Sequence, residues 1–272
     1  MEPWTGGEHG ARGRCVLAPN PGIMTLDGTN TWVLREPGAE RSVVVDPGPL
    51  VDEHLDAVAE VAGQVDTVVV THHHVDHTEA ARSFAERMGC GVRGLDPQQC
   101  WRSEPLADGE VLSVGGLEVE VVATPGHTTD SISLLLGADR ALLTGDMVLG
   151  RGTTVIVHPD GDLGSYFGSI ERMRGLVSEG RVASLWPAHG PVLPDAAGVL
   201  DHYLVHRRER LAQVEAALTR LGTTPADLPP DVAEHPTLPR QVVEVVYADV
   251  DESLWGAAEW SVRAQLAYLA RR

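Results

Sequence analysis

A chain of 272 residues, 43% of them hydrophobic, is sized for one large domain or for a domain with a small appendage. No apolar run reaches the roughly 18–20 residues of a membrane helix, and the net charge of −18 opposes nonspecific attraction to phosphate backbones or anionic lipid. All 21 basic residues are arginine, and the three cysteines, Cys15, Cys90 and Cys100, form no C-x-x-C pair, so free thiols are expected.

The first stretch, Met1 to Arg14, is glycine-rich and lacks the apolar segment of a signal peptide. It reads as a frayed lead-in, with a cytoplasmic location as the expectation. Short β-branched or apolar runs then alternate with helical patterns. Ser42–Val45 reads as a strand and Asp52–Ala62 as an amphipathic helix; Thr67–Val70 is a strand and Thr78–Met88 a helix. Leu117–Val122, Ile132–Leu136 and Ala141–Leu143 are further strands, and Ser165–Val177 a further helix. The alternation predicts an α/β fold with both sheet faces covered. Past Pro194, Asp195 is placed to cap a long helix with apolar positions Leu200, Leu204, Leu211, Val214 and Leu218. Gln241–Tyr247 and Leu254–Ala270 also read as helices. Two domains are therefore expected, a larger one over 1–194 and a small all-helical one over 195–272. The second carries 8 arginines against 12 acidic residues, so most of the negative charge lies in the first.

The stretch Thr71-His72-His73-His74-Val75-Asp76-His77 follows a strand with four ligand-type side chains in an H-x-H-x-D-H pattern. In extended backbone His72 and His74 project on one side, and His73, between them, on the other. A turn then lets Asp76 and His77 face a second point, so that one loop serves two metals at the roughly 3.5–4 Å separation of dinuclear hydrolases. Three later residues arrive in similar contexts, each where a strand ends: His127 in Thr124-Pro125-Gly126-His127, Asp146 in Thr144-Gly145-Asp146, and His189 in Pro187-Ala188-His189-Gly190. His202 and His206 share a helix face, but their helix begins after this set is complete.

This order of motifs resembles the metallo-β-lactamase superfamily over roughly residues 15–193. The resemblance implies an αββα sandwich. It also implies that His72, His74 and His127 hold one metal, that Asp76, His77 and His189 hold a second, and that Asp146 bridges them. Asp46, in Val43-Val44-Val45-Asp46-Pro47-Gly48, matches the superfamily's first acidic motif and would orient the site from behind its ligands, with His73 in a similar supporting place. A narrower resemblance, to the β-lactamase-like protein 2 family, is carried by Asn20–Trp32, Gly152–Val155, Pro187–Val192 and His206–Arg210. It implies a winged-helix-like C-terminal domain, whose β-wing would lie beyond Arg272. Thr78-Glu79-Ala80-Ala81 stands where the superfamily often has Gly-Gly, and would narrow the space beside the site.

The nitrogen and oxygen donors suit two zinc ions, and manganese or iron accept the same set. The carboxylate of Asp146, where class B β-lactamases commonly place a cysteine, points away from lactam hydrolysis. The chemistry expected is hydrolysis by a metal-bridging hydroxide, with Asp76 handing a proton to the leaving group. The expected substrate is a small molecule with an ester, thioester or related bond. The alternative is endoribonuclease action on single-stranded RNA, with Arg207, Arg208 and Arg210 meeting phosphates. No residue is singled out for substrate contact, no membrane partner is expected, and a homodimer is the family-style expectation.

Overall fold

The computed structural model describes residues 3–272. Two sheets form its centre. The first contains β1 (Gly7–His9), β2 (Gly13–Leu17), β3 (Asn30–Leu34), β4 (Arg41–Val45), β5 (Gln64–Val69) and β6 (Gly91–Arg93), in that spatial order. Pairing is antiparallel up to β4 and parallel from β4 to β6. The second runs in the order β11 (Ser184–Pro187), β10 (Ala141–Gly145), β9 (Ile132–Leu136), β8 (Leu117–Ala123) and β7 (Val111–Val114); only β10 and β11 are parallel.

Side chains alternate between the faces of each strand, and in β3, β4, β9 and β10 both faces are apolar, which is what strands covered on both sides require. Trp32, Leu34, Val43, Val45 and Val69 of the first sheet meet Val119, Val121, Leu134, Leu136 and Leu143 of the second in one cluster. Across that interface Trp32 stacks on Trp186, ring centroids 4.9 Å apart. The opposite residues of the first sheet, Val33, Val44 and Val68, pack under α1 (Asp52–Ala62) and α3 (Ala81–Met88) through Leu55, Val58, Phe84 and Ala85. Those of the second sheet, Val122, Leu135, Leu142 and Leu185, pack under α4 (Leu163–Ser178). The layers are helix, sheet, sheet, helix, as the resemblance implied.

The same outer cluster continues through α5 (Ala196–Arg220), α6 (Leu238–Val246) and α7 (Trp255–Leu269). The Asp195 carboxylate caps α5 by accepting from the Gly198 amide at 3.0 Å. No helix among the described residues is long and apolar enough to cross a membrane.

Three expectations are corrected. Residues 7–14 are not a frayed lead-in: they form β1 and enter β2, while Met1 and Glu2 lie outside the described residues. The helix expected over Thr78–Met88 is two pieces, α2 (Val75–Thr78) and α3, because the Ala80 amide donates to Gly48 O at 3.1 Å and leaves the helical ladder. Ala80 and Ala81 face the core beside Leu55 and Phe84, so they do not narrow the site. The three cysteines are free, with Cys15 buried.

Candidate metal centre

β4, β5, β8, β10 and β11 all end at one edge of the sandwich, and the chain leaves each of them through one of the motifs. Backbone bonds between the sheets tie this edge together: Ile132 N–H donates to Thr71 O at 2.9 Å and Asn30 N–H to Ala188 O at 2.7 Å. Gly145 has φ +49°, and a Cβ there would sit 3.0 Å from Thr71, so glycine lets the end of β10 close onto the end of β5. Gly126, at φ +145°, lies where a Cβ would reach within 2.4 Å of Tyr166 Cα, which seats the turn carrying His127 directly on α4.

All seven expected ligands come together, in two groups that each converge to within 4.8 Å: His72, His74, His127 and Asp146, and then Asp76, His77 and His189. His74 Nδ1 lies 2.9 Å from His72 Nε2 and 3.0 Å from His127 Nε2. Asp76 Oδ2 lies 3.2 Å from His189 Nε2 and 3.5 Å from His77 Nε2. Asp146 stands between the groups. Its Oδ1 is 3.3 Å from His189 Nε2 and 3.6 Å from His77 Nε2, and its Oδ2 is 3.7 Å from His127 Nε2.

The far side of four imidazoles is held by a fixed partner, which sets which nitrogen faces inward. His127 Nδ1 donates to Val155 O at 2.8 Å, His189 Nδ1 to Gly28 O at 3.1 Å and His77 Nδ1 to Asp46 Oδ2 at 2.9 Å. His72 Nδ1 lies 3.1 Å from Thr71 Oγ1, whose own proton goes to Asp46 Oδ2 at 2.7 Å. Asp46, at φ +49°, also accepts from the Thr71 amide at 2.7 Å, so one buried carboxylate aligns His77 directly and His72 through Thr71.

His73 turns away from both groups. Its Nδ1 lies 2.9 Å from Asp130 Oδ1, and its Nε2 3.8 Å from Asp160 Oδ2. Of the three arginines named for the RNA alternative, Arg207 is buried, Arg208 is exposed and pairs with Glu171 at 3.3 Å, and Arg210 lies over the Tyr247 ring. The partners Thr71, Val155 and Gly28 were not singled out in the sequence for this role. Two of them act through a backbone carbonyl, which no residue type announces.

The electrostatics divide the two groups. Burial, with help from neighbouring histidines, pushes His72 well below its ordinary range and His74 down to about 4; burial also lowers His127. A lowered value favours the neutral ring, the form that can offer a lone pair to a cation. Burial works against charge on His189 and His77 too, but the nearby carboxylates outweigh it. Asp146 and Asp76 raise His189 to about 9, and Asp46 and Asp146 hold His77 well above its usual value. Burial would raise Asp76 and Asp146, yet the same histidines hold both well down. A cluster with His77 Nε2, His189 Nε2 and Asp146 Oδ1 all buried and without hydrogen-bond partners has the donor set and the unmet demand that divalent cations satisfy. The residues fit the group.

The metallo-beta-lactamase superfamily profile matches residues 24–180, and the beta-lactamase associated winged helix domain profile matches 239–272. The chain belongs to the metallo-beta-lactamase superfamily. It is 30% identical to the beta-lactamase-like protein 2 homolog of Drosophila melanogaster, over 94% of this chain and 87% of that protein. It is 35% identical to an atrochrysone carboxyl ACP thioesterase of Aspergillus fumigatus over 76% of this chain, and spans 64% of that protein's length. A beta-lactamase domain protein from Burkholderia ambifaria has the same fold, with a TM-score of 0.76 at 21% identity over 99% of this chain and 89% of its own.

Proposed function

We propose that the chain is a dinuclear metal-dependent hydrolase, using zinc, that cleaves an ester, thioester or related bond in a small molecule. The observation that carries the reading is the division of Asp146 between two ligand groups, one carboxylate oxygen toward each. Similarity to a protein named as an acyl-carrier thioesterase supports the substrate class.

His72, His74 and His127 would hold one divalent cation and Asp76, His77 and His189 a second, with Asp146 beside both groups, and the bound ions would supply an acidified water and a polarised substrate oxygen. The remaining tasks fall to the chain. Asp46, Thr71, Val155 and Gly28 hold the rings so that no reorganisation is needed when charge develops. Burial of His72, His77, His127 and His189 excludes bulk water from the back of the site. Asp76, with 26% of its side chain exposed against 12% for Asp146, stands on the open side. There its carboxylate would accept the proton lost by the attacking water and pass it to the leaving group.

The test combines elemental analysis with a substrate panel. Metal-replete protein is expected to hold about two metal ions per chain and to hydrolyse members of a thioester and lactone set. Asp146→Ala is expected to lose turnover with its circular dichroism nearly unchanged. One ion or none, or full turnover in Asp146→Ala, would refute the dinuclear reading. Cleavage of labelled single-stranded RNA that vanishes in Asp146→Ala, with no thioester or lactone turned over, would replace the substrate class.

A further inference from the structure

Behind His127 runs an irregular segment, 149–158, without helix or strand. Val155 O receives the His127 Nδ1 proton, and Thr154 Oγ1 lies 3.1 Å from the same nitrogen. A segment with no ladder of its own takes its position from whatever binds its polar groups. Gly150 N–H donates to His189 O at 2.8 Å and Arg151 pairs with Asp27, and the remaining anchors come from one face of α5. The Tyr203 hydroxyl accepts from the Leu149 amide at 2.9 Å and donates to Gly152 O at 3.1 Å. One helical turn later, Arg207 Nη2 donates to Thr154 O at 2.5 Å. The guanidinium also lies over the Tyr166 ring at 4.9 Å, and the Tyr166 hydroxyl donates to Met147 O at 2.7 Å, immediately after Asp146.

Arg207 is 4% exposed, and among the described residues no carboxylate forms an ion pair with it; its Nε has no partner. Burying a guanidinium this way is costly, and leucine or methionine would serve helix packing better. What the cationic fork provides is a fixed hold on the Thr154 carbonyl, with the ring of Tyr166 as its support.

We infer that Arg207, with Tyr203, is a positioning residue for the metal centre. Through it the C-terminal helix α5 sets the 154–155 backbone and hence the orientation of His127, and steadies the Tyr166–Met147 contact beside Asp146. The role rests on the metal-binding reading above, and it gives the helical region a part in the site that its sequence did not announce.

The experiment compares the full-length wild type with Arg207→Met, Arg207→Lys, Tyr203→Phe and the surface control Arg208→Ala. Zn2+ affinities are read by competition with a chromophoric chelator, the Co2+-substituted proteins by their visible absorption, and the metal-free proteins by thermal melting. Arg207→Met is expected to weaken one of two Zn2+ equivalents by about 10–100-fold, the range for removing a group that orients a ligand, and to change the cobalt bands. Arg207→Lys recovers part of both, because an ammonium still reaches the Thr154 carbonyl, and Arg208→Ala changes neither. A lower melting temperature in Arg207→Met with wild-type zinc affinity and cobalt spectrum would overturn the inference, leaving Arg207 a packing residue. If Arg207→Met does not fold, Tyr203→Phe decides: it keeps the ring, loses the hydroxyl, and must weaken zinc in the same direction or the inference fails. A wild type that takes up no Zn2+ overturns the metal reading itself. Two wild-type equivalents with unchanged variants overturn only this one.

Discussion

At Asp46 one carboxylate accepts hydrogen bonds from three donors that would otherwise be stranded in the interior: the Thr71 amide, the Thr71 hydroxyl and His77 Nδ1. Its left-handed backbone suits aspartate or asparagine better than a branched residue. Asp46→Ala is expected to cost about 1–3 kcal/mol for each buried donor left unpaired, read as a lower urea midpoint in the metal-free protein. Metal is also expected to leave the variant faster on dialysis, since His77 is no longer aligned. Unchanged stability together with unchanged metal retention would show that Asp46 supports nothing. The importance of this residue was visible in the Val-Val-Val-Asp-Pro-Gly pattern. Its geometry was not, because sequence spacing does not show that Thr71, 25 positions on, lies within 2.7 Å.

At the scale of elements, the start of α4 joins the catalytic layers to the chain's far end. Asp162 accepts from the Ser165 amide at 2.7 Å as the helix cap and also pairs with Arg271. Burial would raise its pKa, but the Ser165 bond and the Arg271 charge outweigh it, so the folded value lies below the ordinary one. The sign follows: this carboxylate contributes stability above its unfolded pKa and loses it as pH falls toward the depressed folded value. Asp162→Asn is expected to flatten the decline of melting temperature below about pH 4, and Asp162→Ala to cost about 1 kcal/mol of cap at neutral pH. An acid limb as steep in Asp162→Asn as in the wild type would contradict this assignment. Elements with one-sided or continuous apolar patterns, α1 and β9 among them, were readable to the residue. β1 and β2 were not, because Gly7, Gly10 and Gly13 hide the alternation and Glu8 and Arg14 give the edge a polar face. Arg207 misled for a related reason: it reads with Arg208 and Arg210 as a residue free to meet phosphates until the packing of the helix shows it buried.

At the scale of the molecule, α5, α6 and α7 do not enclose a separate core. Leu200, Tyr203, Leu204 and Leu211 belong to the same apolar cluster as Leu142, Tyr166, Ile170 and Leu185. A chain ending at Asp195 is therefore expected to bare one side of α4 and to aggregate or bind a hydrophobic dye, checked by gel filtration and dye fluorescence. A monodisperse truncated protein with cooperative melting would argue for two independent folding units. The start of α5 was legible in Asp195 and the helical spacing that follows it; the shared core was not, because apolar spacing tells which helix face is buried but not against what.

The stacked pair Trp32 and Trp186 has a spectroscopic consequence. The two indoles belong to opposite sheets, and Trp32 Nε1 donates to Pro187 O, two residues before His189. Their transition dipoles are close enough to couple, so an exciton signature in the ultraviolet dichroism depends on the two sheets facing each other in register. Helical ellipticity survives in loosely collapsed states that have lost their tertiary packing; this signal does not. The molecule thus carries, close in sequence to one candidate ligand, an intrinsic optical gauge of whether the two halves of the sandwich are still joined.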